Sequence, residues 1–207
     1  EKVLTRETRN LETLQNTVRS IVGCVCDTLD ALKARYPHIP TELSREVKFI
    51  TTQELLDRYP GLSPKERENA AVREYKTVFL MQIGGKLSDG KPHDGRAPDY
   101  DDWSLNGDIL FYFPLLDCAM EISSMGIRVD AETLDRQLAE AGCDARRSLP
   151  FHRMLLADKL PLTIGGGIGQ SRICMLLMNK AHIGEVQCSI WDQETIDACE
   201  TAGIVLL

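Results

Sequence analysis

The sequence predicts an α+β fold, an antiparallel β-sheet flanked by helices, and three observations predict it. An apolar stripe at helical spacing opens the chain, and two apolar strands follow one another closely enough to pair as a hairpin. A glycine-rich run later joins another short apolar strand to an apolar helix. Closely spaced strands pair antiparallel, which disfavours a doubly wound parallel sheet.

The elements follow in order. Leu11, Leu14, Val18, Ile21, Val22, Val25, Leu29 and Leu32 recur at three- and four-residue steps, marking one buried helix face. Tyr36-Pro37 ends that helix, because the residue before proline is driven out of the helical region. Residues 47–50 read as a strand. Thr51 with Glu54, and Ser63-Pro64 with Glu66, have capping-box spacing and open two helices. Residues 77–83 read as a buried strand running into Gly84-Gly85. Strands 109–113 and 119–129 are joined by a turn at Pro114-Leu115-Leu116-Asp117. Asp130 caps a helix from Ala131 that stops at Gly142. A strand then enters a turn carrying Gly165, Gly166, Gly167 and Gly169, and Arg172 opens the helix Ile173-Cys174-Met175-Leu176-Leu177-Met178. Residues 186–190 alternate as a final strand.

Composition narrows the function classes. With 207 residues the chain buries a substantial core and reads as a single domain over residues 1–207. A formal charge of −7 argues against a nucleic-acid binder held by phosphate contacts. No apolar run is long enough to span a bilayer and no secretory signal is present. The seven cysteines are scattered and never spaced Cys-x-x-Cys, the pattern of buried cytosolic thiols. The chain begins Glu1-Lys2-Val3 without a methionine, as expected of a fragment or of a chain with segments left out.

Two regions carry candidate chemistry. Glycines without Cβ let the backbone approach a bulky ligand, and Arg172 brings a planar cation to the same place. That suits a nucleotide, with Arg172 on a phosphate or flat on a base. A turn that merely packs a helix on a sheet has the same pattern. No Gly-Lys-Ser/Thr follows, so this is not a P-loop, and the spacing does not fit a dinucleotide fingerprint. Acidic chemistry concentrates from Asp89 to Glu121, with Asp89, Asp94, Asp99, Asp101 and Asp102 in one loop. Asp108 at a strand entrance and Glu121 on the returning strand are hard oxygen donors of the kind Mg²⁺ takes. On a regular strand Glu121 and Ser123 share one face while Ser124 and Arg128 share the other. Glu121 and Arg128 can serve one pocket only through a bulge or twist, for which Gly126 is the natural place.

Several segments resemble ammonia-dependent asparagine synthetases: Gly84-Gly85-Lys86-Leu87-Ser88-Asp89-Gly90, Arg96-Ala97-Pro98-Asp99-Tyr100-Asp101-Asp102-Trp103, Leu105-Asn106-Gly107-Asp108-Ile109-Leu110, Glu121 to Arg128, Gly165 to Arg172, and His182-Ile183-Gly184-Glu185-Val186-Gln187. The resemblance implies the catalytic-domain fold of class II aminoacyl-tRNA synthetases without an anticodon-binding domain. It implies that aspartate, ammonia and ATP give asparagine, AMP and pyrophosphate through a β-aspartyl adenylate. Asp108 and Glu121 match the family's Mg²⁺ and phosphate carboxylates, and Arg172 its third-motif arginine between adenine and the terminal phosphate. Asp101, Ser123, Ser124 and Arg128 map to the substrate and nucleotide pocket, with Asp101 suited to the substrate ammonium. A homodimer in the cytoplasm is implied, with no nucleic acid or membrane partner.

In the family a long segment precedes the position of Glu1 and holds two further motifs. A loop also lies between Trp103-Ser104 and Leu105-Asn106. Their absence is expected to reflect omitted segments rather than a truncated gene, with the ammonia-activating base in the preceding segment. A tRNA-synthetase relative and a non-catalytic regulatory relative are the competing readings.

Overall fold

The computed structural model describes residues 1–207. Its strands are β1 (Lys2–Leu4), β2 (Lys48–Thr51), β3 (Thr77–Met81), β4 (Asp101–Phe113), β5 (Cys118–Arg128) and β6 (Leu162–Ile168). Its helices are α1 (Leu11–Arg35), α2 (Thr52–Arg58), α3 (Pro64–Tyr75), α4 (Ala131–Glu140), α5 (Pro150–Leu156), α6 (Gln170–Leu177) and α7 (Gln193–Thr201). The strands form one sheet in the order β1-β6-β5-β4-β3-β2. Every neighbouring pair is antiparallel except β2 and β3. That parallel pair corrects the all-antiparallel expectation. The connection from β2 to β3 runs through α2 and α3, and such a crossover is what parallel pairing needs.

The helix starts follow local chemistry. Thr51 and Ser63 both close full capping boxes, with Glu54 and Glu66 reaching back to the cap backbone. Asp130 accepts from the Thr133 amide at the start of α4, and Gly142 follows that helix at φ +66°. On α1 the predicted stripe is inward: Leu14, Val18, Val22, Val25 and Leu29 are buried. Each contributes roughly 1.5–3 kcal/mol by leaving water. They share a core with Phe79, Ile109, Phe111, Ile122, Met125, Ile127 and Ile164 from one sheet face, and with Leu176 of α6.

The opposite sheet face divides in two. At the β2–β3 end, Val78, Leu80 and Leu110 pack with Leu55 of α2 and Val72 of α3. Toward β6 no apolar layer covers it, and polar side chains stand there instead. A small third core of Val129, Leu134, Leu138 and Leu155 fixes α4 and α5 beside that open region.

Four local expectations change. Residues 186–190 form no strand: Ile183–Glu185 is a short 3₁₀ turn and Ile190 is 98% exposed. Residues 186–190 pair with no strand of the sheet, so the alternation has no ladder to join. Gly165, Gly166 and Gly167 are not a turn but part of β6, paired with Gly126, Met125 and Ser124. The helix after them begins at Gln170, so Arg172 lies within its first turn. The strand carrying Asp108 starts at Asp101, so Asp101 and Asp102 sit on backbone with a fixed direction rather than in a loop.

Candidate active site

The open part of the sheet gathers side chains from three adjacent strands, and a bulge in β5 makes this possible. Ile109 pairs with Ser123 and Leu110 with Glu121, so Ile122 is the extra residue. Met120 precedes the bulge, Ile122 is its extra residue, Met125 and Ile127 follow it, and all four enter the same core. The parity switch leaves Glu121, Ser124, Gly126 and Arg128 on the opposite, open face. Ser123 instead stands opposite the core residue Ile109 and is buried, so Glu121 and Ser123 do not share a face, contrary to expectation. The bulge therefore does what the sequence required, at Ile122 rather than at Gly126. Gly126 has another task. A Cβ there would lie 2.7 Å from Asp101 Cγ and 2.9 Å from Asn106 Cβ, so only glycine leaves room for the aspartate of β4.

Asp101 and Arg128 face each other across the β4–β5 ladder and form an ion pair through Oδ1 and Nη1. Arg128 also donates to Glu1 from Nε at 3.0 Å, and its guanidinium carbon lies 3.9 Å from the centre of the Tyr100 ring. Burial raises the Asp101 carboxyl, with Arg128 opposing only in part. Hydrogen bonding to Arg128 holds the exposed Glu1 carboxyl below its usual range. A pocket of ≈ 330 Å³ opens over this group, lined by Arg128, Tyr100, Glu1, Thr163, Phe151 and Leu160. Underneath, Arg9 donates to Asp102 at 2.8 Å and to the Arg128 carbonyl at 3.2 Å, and pairs with Asp130 at 3.4 Å. It ties β4, β5 and the cap of α4 together.

A second cleft, ≈ 520 Å³, is lined by Glu121, Ser123, Ser124, Gly167, Gly169 and Arg172, with Tyr100 common to both. Arg172 reaches over β5 to the Glu121 carbonyl at 3.2 Å and lies 3.5 Å from its carboxylate. Of the predicted glycines Gly167 and Gly169 line this cleft, and Gly165 and Gly166 do not. Gly165 packs against Glu1, and Gly166 against Met125.

Asp108 stands opposite Ser124 on the ladder, and Arg96 from the preceding loop pairs with its Oδ2. Its Oδ1 is buried with no hydrogen-bond partner. Burial, aided by Glu121 and opposed by Arg96, pushes its pKa up to about 6. An orphaned hard oxygen costs folding free energy unless a cation or donor meets it. Mg²⁺ fits that oxygen with Glu121 nearby. No three His, Cys, Asp or Glu side chains gather as a metal cluster, so phosphate oxygens and water would complete the octahedron.

The raised Asp108 pKa has a stability consequence. Because the folded value lies above the ordinary 3.8, this group's stabilising contribution is complete below 3.8 and is lost as pH rises through about 6. At about 1.4 kcal/mol per pKa unit the full loss is about 3 kcal/mol, of which about 2 falls between about pH 4.5 and about pH 7.5. Asparagine mimics the protonated acid. Asp108→Asn should therefore gain about 2 kcal/mol on the unmodified chain across that interval in urea titrations without Mg²⁺, while weakening Mg²⁺-dependent nucleotide binding. A pH-independent difference would show that burial does not strain this carboxylate.

Sequence reasoning missed Glu1, Arg9, Tyr100 and Arg96 as site partners. Glu1 is separated by 127 residues from the arginine it touches, and nothing local in a sequence signals such a contact.

Comparison with known proteins places the chain in a family and a fold. The sequence profile of the aspartate–ammonia ligase family matches residues 1–203. An aspartate–ammonia ligase of Clostridium perfringens is 60% identical over all 207 residues, which make up 62% of that protein. One from Fusobacterium nucleatum is 56% identical over the same length, 63% of its own chain. The chain thus spans less than two thirds of the length of these relatives. Among solved structures, the Entamoeba histolytica asparaginyl-tRNA synthetase in complex with asparaginyl-adenylate superposes with a TM-score of 0.59 at 16% identity. That match covers 84% of this chain and 43% of the synthetase. The aspartyl-tRNA synthetase of the same organism gives 0.58 at 17% identity, covering 93% and 42%. At such identities these likenesses establish a fold, that of class II synthetase catalytic domains. The profile match over residues 1–203 and the relatives at 56–60% identity show that the chain belongs to the aspartate–ammonia ligase family.

Proposed function

We propose that residues 1–207 form one catalytic domain that uses ATP to activate L-aspartate and transfers the acyl group to ammonia, giving L-asparagine, AMP and pyrophosphate. The observation that carries this reading is the Asp101–Arg128 pair beside the Ser124–Arg172 cleft, with Tyr100 lining both spaces. An arginine and a carboxylate side by side can hold the carboxylate and ammonium of an amino acid. The neighbouring cleft offers open backbone at Gly167 and a planar cation at Arg172, as a nucleotide needs.

Arg128 clamps the α-carboxylate and Asp101 receives the α-ammonium. This leaves the β-carboxylate facing the cleft, where its oxygen attacks the α-phosphate of ATP and pyrophosphate departs. Ammonia then attacks the acyl carbon, and AMP leaves with the original carboxylate oxygen. Arg172 lies against the nucleotide, Ser123 and Ser124 border it, and Gly167 allows close approach, with Gly165 and Gly166 holding β6 close to its neighbours. Asp108 and Glu121 would hold Mg²⁺, which supplies neutralisation of the charge gathering on pyrophosphate. Positioning of the amino acid, rather than new chemistry, selects which carboxylate reacts.

The proposal extends to a cytoplasmic homodimer without nucleic-acid or membrane partners. No helix is long and apolar enough to cross a membrane. Incubating the protein with ATP and labelled pyrophosphate tests the first half-reaction. Exchange should require L-aspartate and proceed without ammonia, and added ammonia should divert the intermediate to asparagine. Exchange driven by another amino acid, or acyl transfer to tRNA but not to ammonia, would remove the proposal.

A further inference from the structure

Arg128 carries five N–H donors. Glu1 Oε1 engages Nε at 3.0 Å and also Nη2, in a side-on fork, while Asp101 takes one hydrogen of Nη1. Two N–H groups remain, one on each terminal nitrogen, as donors for an incoming carboxylate. The guanidinium carbon also lies over the Tyr100 ring, 3.9 Å from its centre. Glu1 is more than half exposed, so burial does not hold it in place. What shapes its seat is Gly165 on β6. A Cβ at that position would lie 2.4 Å from Glu1 Cδ, far inside contact distance.

We propose that Glu1 is a positioning residue for amino-acid recognition: seated over Gly165, it fixes the plane of the Arg128 guanidinium and adds a second negative charge beside it. The inference rests on the reading of Arg128 as the α-carboxylate clamp. With two carboxylates around one guanidinium the pocket has an excess negative charge. A bare carboxylate gains little there, whereas a zwitterion also supplies the ammonium that the excess charge attracts. Glu1 therefore favours L-aspartate over a dicarboxylate that lacks the amine, although it need not touch the substrate.

The test compares Glu1→Ala, Glu1→Gln, Gly165→Ala and the Glu1→Ala/Gly165→Ala double variant in the full chain, with Arg128→Lys alongside. Aspartate and ATP KM values, aspartate binding by titration calorimetry, and the inhibition constant of succinate are measured for each. Glu1→Ala and Gly165→Ala should each weaken aspartate roughly 10- to 100-fold, the scale of a lost charge-assisted bond, with ATP KM within about twofold. The double variant should match Glu1→Ala, because the added methyl acts only by evicting Glu1. Isosteric Glu1→Gln, which keeps Oε1 but loses the charge, should narrow the preference for aspartate over succinate by about tenfold. Unchanged aspartate binding and unchanged succinate discrimination in Glu1→Gln, with Arg128→Lys impaired, would overturn the proposal and leave the clamp standing. Normal aspartate binding in Arg128→Lys would overturn both.

Discussion

Arg128→Lys is expected to lower kcat/KM for aspartate by roughly 30- to several-thousand-fold, equivalent to about 2–5 kcal/mol, with ATP affinity little changed. Lysine preserves the charge, so the size of the loss rests on geometry. The guanidinium meets Glu1 with two of its nitrogens, Asp101 with a third, and the Tyr100 ring with its face. A single ammonium cannot hold all of these and still present two parallel donors to a substrate carboxylate. Two carboxylates would compete for one point charge, and the substrate's would come third. Steady-state kinetics with each substrate varied separately reads the effect. An equal loss toward both substrates would point to a misfolded site, and no loss would remove Arg128 from substrate binding.

Arg172→Lys is expected to reduce turnover with ATP by about 10²–10³-fold, the range for loss of a preorganised electrostatic donor. Its effect on folding should stay within about 0.5 kcal/mol. The arginine side chain is 54% exposed and its contacts to Glu121 lie at 3.2 and 3.5 Å, so the unliganded fold gains little from it. Its planar face and forked donors matter only against a nucleotide. The combination of a normal urea midpoint with a failed ATP dependence separates a ligand-binding role from a packing one. A lysine variant with ordinary ATP kinetics would reduce the glycine-rich run to a packing device.

What was legible in the sequence follows from how local each signal is. Capping boxes at Thr51 and Ser63 span four residues each and are read directly. The α1 stripe also reads directly, because helical burial repeats along one segment. The hairpin of β4 and β5 was visible from its short connection. The extent of β4 was not, because its first residues are Asp101 and Asp102, which disfavour strands unless tertiary partners hold them. Those partners are Arg128 and Arg9, both remote in sequence. The glycine run was legible as a place of close approach but not as a strand, since glycine has no intrinsic strand preference and β6 is held by its ladder to β5. The alternation at residues 186–190 misled because a short pattern does not show whether a partner strand exists, and no strand pairs with it.

The site divides the same way. Asp108, Glu121, Arg128 and Arg172 could be named because charged side chains on strands and at a helix start are uncommon without a task, whereas Asp101, Ser123 and Ser124 were assigned only through the family resemblance. Their convergence depends on the parity switch at Ile122, and two-residue alternation cannot reveal where an extra residue enters. Glu1 and Arg9 carry no local signature, and only the folded chain brings them to the site.

The central claim is that the side-chain carboxylate of aspartate, not its α-carboxylate, becomes the adenylate. L-Aspartate labelled with heavy oxygen in the β-carboxylate, turned over with ATP and ammonia, tests it most directly. Mass spectrometry of the products should find one heavy oxygen in the phosphoryl group of each AMP and one in the new amide, while α-labelled aspartate leaves AMP unlabelled. Label reaching AMP only from the α-carboxylate, or from neither, would contradict the account.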